Sequence, residues 1–515
     1  DWGGVAGFRV QGGGNWLITG PGTSLKGHYD VNADMSLFTG ALTITNQRIR
    51  VDANNELPGA MGSIAVRPGG QIWAASGAAF THPVTVAGKG WYEGDYFGAI
   101  RFSGGGTWSG NITLAGDARF SAWSGSGTIG GNISGGYDVT AYNNNYLYLT
   151  GVNTFRNLTL LGNWTYVNSG AALGTGTVVF ANGGLGATGG PVTANNPARA
   201  TVTGVYIGND LGFQPMTFTR DFDFNGAYHD MHIYNTTTLS GNITNAGNFM
   251  LIKYESGNLV LKGTNSFGTA WNYQGAGTLT FSGDSVTTIN GNVDLRSGGT
   301  DVITNNAAIT AWQLFAGNNE GGSWGTINQH GGSLTLTSAD NNRVMVIGEW
   351  GGATSYYNLF GGTVTAIAGN GGAYIGYDGG GQLNIYGGLA TLSRLRADGT
   401  GGLLTLNGGE LRLGSGGLDN TSGPVTINLG GGTLGAYDNW SSSVPMNLTG
   451  AGGHAVFAPP TSLSIALSGA LSGGGGLAKS GNGNLALTGA NTYTGGTIVN
   501  AGTLAIAGAG WLGGG

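Results

Sequence analysis

Apolar residues recur at every second position in short runs along this chain, and glycine and asparagine cut the runs apart. Near the end, from Gly481 to Ile506, Leu485, Leu487, Ile498, Leu504 and Ile506 alternate with small or polar residues. A period of two puts one set of side chains in a core and the other in water, which predicts short strands. Between the runs lie Thr488-Gly489-Ala490-Asn491, Gly495-Gly496 and Asn500-Ala501-Gly502. Their glycines and asparagines accept positive φ or supply the side-chain hydrogen bond that a tight corner needs. Strand, corner and strand therefore follow one another with no helix signal.

A regular unit begins at Gly331. Gly331-Gly-Ser-Leu334-Thr-Leu336, Gly361-Gly-Thr-Val364-Thr-Ala366, Gly387-Gly-Leu-Ala390-Thr-Leu392 and Gly408-Gly-Glu-Leu411-Arg-Leu413 start 30, 26 and 21 residues apart. Between them Val346-Ile347-Gly348, Tyr374-Ile375-Gly376 and Leu395-Arg396-Ala397 fill one equivalent slot. Asn358-Leu359-Phe360, Asn384-Ile385-Tyr386 and Thr405-Leu406-Asn407 fill another. Three short strands and three corners per unit are what one turn of a three-sided coil requires. Turns of about 20 to 30 residues give roughly 20 turns, and at about 4.8 Å per turn a rod on the order of 100 Å long. The alternation predicts that Leu334, Leu336, Leu411, Leu413, Leu485, Leu487, Leu504 and Ile506 point into one core.

The Gly481 to Ile506 stretch resembles the autotransporter-associated β-strand repeat, also called the passenger-associated transport repeat, of passengers and other large surface proteins of Gram-negative bacteria. The residues that carry the likeness are Gly481, Gly483, Leu485, Leu487, Thr488, Gly489, Asn491, Thr492, Tyr493, Gly495, Thr497, Val499, Asn500, Gly502, Thr503 and Leu504. The resemblance implies an all-β fold, a right-handed parallel β-helix (β-solenoid) on the cell exterior, and covers only this stretch directly. Leu147-Tyr-Leu149-Thr-Gly151-Val-Asn153-Thr-Phe155 and Leu259-Val-Leu261-Lys-Gly263-Thr-Asn265-Ser-Phe267 keep the spacing of Leu485 to Tyr493. The expected organisation is irregular turns over 1–330, regular Gly-Gly turns over 331–450, and C-terminal turns with the repeat over 451–515.

Four stretches read differently. Trp91 to Phe97 breaks the rhythm and reads as a projecting loop, in which Glu93 and Asp95 are either solvated or a cation site. Asn143-Asn144-Asn145 reads as an ordinary polar turn or as part of a ladder of stacked amides. Residues 183–200, with paired glycines and two prolines, read as the longest irregular piece. Thr217 to Phe224 reads as a strand with Phe218, Arg220, Phe222 and Phe224 on one face, which would hold Asp221 and Asp223 about 7 Å apart on the other. His229, Asp230 and His232 follow. Such a group could bind Ca²⁺ or cleave a polysaccharide, and its alternative is a solvated acidic face.

Composition narrows the classes. With 107 Gly and 11 Pro but no three-residue glycine period, collagen is excluded, and 10% aromatic residues are too many for a disordered linker. A net charge of -6, spread along the chain, removes the clustered Lys and Arg that nucleic acid requires. The absence of cysteine removes disulfides and thiolate metal sites. No apolar run is long enough for a membrane helix, and no terminal block of long amphipathic strands suggests a membrane barrel. The start at Asp1 reads as a processed mature chain.

The sequence therefore points to an extracellular or cell-surface structural or adhesive rod, either a passenger-like stalk or a filament subunit, with no cofactor or metal. The alternatives are a β-helical polysaccharide lyase or glycoside hydrolase, and a rod that binds surface glycans through Trp91, Tyr92, Trp108 and Trp123. The expected partner is a second copy met end to end, because each end of a solenoid exposes a whole turn of unpaired backbone. Trp2, Phe8 and Trp16 at one end, and Trp511 and Leu512 at the other, are the candidate assembly contacts.

Overall fold

The computed structural model describes residues 8–19, 29–30, 33–53, 56–57, 62–75, 77–208, 214–227, 229–246, 250–272, 277–296, 298–304, 306–318, 323–339, 343–350, 353–369, 371–397, 401–420, 425–508 and 512. Among them the chain is a β-solenoid of short strands that pair in parallel, each with its counterpart one turn later. Helix is confined to short 3₁₀ turns such as Gly170–Leu173. Two compact units are distinguishable, Asp1–Asn225 with Met231–Gly241, and Gly226–Asp230 with Asn242–Gly515.

In the first unit one inward column runs Ala118, Val139, Leu158, Val178, Ala198 and Phe222. Each of these six is at most 4% exposed. The second unit holds three such columns. Leu334, Val364, Ala390, Leu411 and Leu434 align on one face, and Ile327, Tyr357, Leu383, Leu404 and Ile427 on another. Met345, Ala373, Leu395 and Leu418 align on the third. A fully buried aliphatic side chain contributes about 1.5–3 kcal/mol, so stacking like on like along the axis is the main attraction between turns. The four Gly-Gly units thus fall in the register that the sequence predicts. One slot is displaced by a residue: Ala373 pairs with Leu395 and Tyr374 with Arg396, on a strand, Leu389–Ala397, that runs through the corner without a break.

The doubled glycines have a steric cause. Gly332, Gly362, Gly388 and Gly409 all have positive φ, and a Cβ on Gly362 would lie 2.3 Å from the carbonyl oxygen of Gly332 one turn earlier. Stacked corners leave no room for a side chain there.

The three copies of the Leu-x-Leu-x-Gly-x-Asn pattern share one device. Asn153, Asn265 and Asn491 are buried, and each Oδ1 accepts a hydrogen bond from a backbone N–H of the preceding turn, from Ile133 at 2.8 Å, Ile243 at 3.0 Å and Leu471 at 2.9 Å. The aromatic residue two positions on, Phe155, Phe267 or Tyr493, is fully buried beside it. In the last copy Lys479 is also buried, and its ammonium donates to the carbonyls of Ser480, Gly481 and Ala501, tying one corner to the next turn. A buried charge is tolerated there because three carbonyl dipoles replace its water.

Residues 183–200 form a regular turn rather than an irregular piece, with strands Gly184–Ala187, Val192–Ala194 and Ala198–Ala200 in register with their neighbours. Their glycines serve a ladder. A Cβ on Gly184 would lie within 2.7 Å of three carbons of the Trp164 ring, and one on Gly186 within 2.7 Å of two carbons of Tyr166. The rings of one turn occupy the space that side chains of the next would need. Asn143 bonds along the axis, but to Trp164 O and Thr165 Oγ1 rather than to a stacked amide. The amide ladder lies elsewhere, at Asn328, Asn358 and Asn384, with 2.9 Å between successive amides.

Candidate functional surface

The carboxylates singled out by the sequence do not share a strand face. Met216–Phe218 and Phe222–Asp223 are separate strands around a corner, so the inward alternation restarts and Phe218, Phe222 and Phe224 all point into the core. Arg220 and Asp221 are exposed at the corner. Asp223 faces Arg199 at 3.3 Å and accepts from the N–H of Asn225. His229 is buried, and the ring of His232 stacks on Tyr206 at 4.5 Å.

Residues 91–97 do not project. Bridges Gly90 to Gly98 and Tyr92 to Tyr96 close a small hairpin that lies on the outer side of the first unit, with Trp91 buried. Its Glu93 takes Arg48 Nη1 at 2.6 Å and Arg101 Nη1 at 2.5 Å, so both carboxylate oxygens are occupied by guanidinium groups rather than left for a cation. Trp73 stands between Arg50 and Arg101 in register, and Arg48, Arg50 and Arg101 all lie about 5 Å from its ring centroid. Burial pushes the Arg101 guanidinium below its ordinary value, and Glu93 pulls it back. Sequence spacing could not show this group, because it is assembled from strands one turn apart.

Of the four aromatics proposed for glycans, Trp91 and Trp108 are buried, and Trp108 Nε1 donates to His82 O. Trp123 is half-buried between Phe97 and Tyr142. Tyr92 is exposed, 5.0 Å from Tyr96. Among the described residues no group of three or more His, Asp or Glu is placed to hold a metal, and no helix is long and apolar enough to cross a membrane.

The last described turn exposes apolar side chains. Leu504 aligns with Leu485 and Ile506 with Leu487, so both occupy inward positions. Yet Leu504 is only half-buried and Ile506 is 42% exposed, whereas Leu485 and Leu487 are at most 1% exposed. The expected burial of this pair fails for a physical reason: among the described residues no further strand covers Thr503–Ile506. Val499, aligned with Lys479 and Phe457, is 51% exposed for the same reason. Ile498 aligns with Ala478 and Val456 and faces outward rather than inward. Of the candidate assembly residues, Leu512 is exposed, and Trp16 is half-buried with its ring edge-on to Phe38 at 6.4 Å. Phe8 lies in strand Phe8–Gly12, while Trp2 and Trp511 lie outside the described residues.

The passenger-associated-transport-repeat family model matches residues 477–506, the two turns that hold Asn491, Lys479 and the open edge. The repeat and the β-solenoid fold fit a passenger-like rod. No curated protein and no solved structure matched the chain.

Proposed function

We propose that this chain is a structural β-solenoid of an exported bacterial surface protein, and that its last turn joins it to a second copy. The observation that carries this reading is the uncovered inward row Val499, Leu504 and Ile506. A turn of a second copy stacked on those positions would bury three apolar side chains and pair their backbone at once. In the first unit the sheet edge where Trp16–Thr19 pairs with Ala41–Thr45 is a different surface, so a contact between it and the last turn of another copy is heterologous and propagates unless it closes into a ring. Export is supported by the transport repeat.

The experiment is sedimentation velocity over a concentration series, with electron microscopy of the same samples. The intact chain should shift to larger species as concentration rises. Val499→Lys with Ile506→Lys should stay monomeric at every concentration while its circular dichroism is unchanged, because a buried lysine without a partner forbids the contact. A wild-type chain that remains monomeric throughout, or a double variant that assembles as the wild type does, overturns the proposal.

A further inference from the structure

On one face of the second unit both sides of the sheet are buried. Met345–Ile347 and Ala373–Ile375 turn alternate residues inward, yet their outward residues Val346 and Tyr374 are also covered, and with Phe315 and Tyr377 they form an outer apolar cluster. Asp294 lies in the same outward column, in register with Phe315, Val346 and Tyr374. Just beyond the strand ends follow Arg296, Asn318, Glu349 and Asp378, drawn from four successive turns.

Asp294 is 2% exposed and Glu349 6%. Asp294 Oδ2 accepts from Arg296 Nη2 at 3.0 Å and from Asn318 Nδ2 at 2.9 Å, and Glu349 Oε1 accepts from Arg343 Nη1 at 2.8 Å. The second oxygen of each, Asp294 Oδ1 and Glu349 Oε2, is buried with no hydrogen-bond partner. A buried carboxylate oxygen without a hydrogen bond is costly when it carries charge, which favours the protonated form of the group. Among the described residues three carboxylates, Asp294, Glu349 and Asp378, act together with two guanidiniums, Arg296 and Arg343, which leaves a balance of one excess negative charge. One proton closes that balance, whereas a divalent cation would overshoot it.

We propose that these five residues form a one-proton latch that holds the outer cover of this face across its turns and loosens when the proton leaves. Glu349 is the group that holds it. Burial, then Asp294 and Asp378, push its carboxyl up to about 7 against the pull of Arg343 and Arg296. Arg343 is the stronger counterweight, in direct contact with Glu349 at 2.8 Å, but its side chain is 37% exposed and its guanidinium also lies 4.9 Å from the Tyr377 ring. Burial likewise raises Asp294. The sign follows from linkage. A carboxyl raised on folding contributes stability that is complete below its ordinary value of 4.5, declines as pH climbs to about 7, and is gone above it.

The test is hydrogen exchange of the intact chain, read as protection factors for Met345–Ile347 and Ala373–Ile375, at about pH 6 and about pH 8.5. Protection in the wild type should fall at least about tenfold at the higher pH, and Glu349→Gln, neutral at both, should show no fall. Asp378→Asn should move the midpoint to lower pH by removing one of the charges that hold the proton. Equal protection at both pH values in the wild type overturns the latch, as does a Glu349→Gln chain that is as pH-sensitive as the wild type. Restoration of protection at the higher pH by calcium chloride alone would also overturn it, in favour of a cation site.

Discussion

Replacing Glu93 by alanine is expected to destabilise the first unit by about 3–5 kcal/mol, the range for removing one partner of a buried ion pair. The side chains of Arg48 and Arg101 are 9% and 10% exposed, and Glu93 meets both within hydrogen-bond distance. Without it both guanidiniums lose this shared carboxylate and stay among Trp73, Trp91, Phe97 and Trp123, whose ring faces attract cations more weakly than a carboxylate does. Glu93→Gln keeps the shape and some hydrogen bonding, so it should lose less. Urea unfolding followed by tryptophan fluorescence reads the change directly, since Trp73 and Trp91 sit in the group. A loss below about 1 kcal/mol in Glu93→Ala would show that the hairpin merely rests on the surface.

Phe222→Ala is the second large effect, at about 3–5 kcal/mol for emptying an aromatic site in a packed core. Phe222 is 1% exposed, and its ring centroid lies 5.6 Å from Phe180, 6.0 Å from Phe218 and 5.8 Å from Phe224. Phe180 lies two turns before Phe222, across the small side chains of Ala198 and Ala200, so four rings wall the site and limit its collapse. The expected result is a lower unfolding midpoint with an unchanged denaturant slope, because the unfolded chain exposes nearly the same surface. Phe222→Leu should recover part of the loss by filling some of the space.

What the sequence revealed and what it hid divide along a physical line. Leu334, Val364, Ala390 and Leu411 could be aligned from spacing alone, because each follows a doubled glycine whose corner admits no side chain. The shared asparagine of the repeat was visible as spacing, though its bond to the preceding turn was not. Glu93, by contrast, meets Arg48 from 45 residues away, and Glu349 meets the charge of Asp294 across turns of unequal length. Contacts along the axis depend on the number of residues in every intervening corner, which no local pattern records. Glycine was also misleading. Around 183–200 it signals a loop by propensity, yet Gly184 and Gly186 are strand residues kept small by the rings of Trp164 and Tyr166. The last turn shows a further limit, since alternation assigns Ile506 to the inside without saying whether another turn covers it.

The in-register stacking of turns underlies every one of these assignments, and it can be measured by disulfide trapping because the chain contains no cysteine. Thr365 and Thr391 are outward, half-buried partners on adjacent turns. Directly paired parallel strands lie about 4.8 Å apart, inside the roughly 4.4–6.8 Å between Cα atoms that a disulfide accepts. The double variant Thr365→Cys with Thr391→Cys should therefore close a disulfide under mild oxidation, whereas Thr365→Cys with Thr405→Cys, placed on different faces, should not. Failure of the first pair to close while the second does would contradict the stacked solenoid.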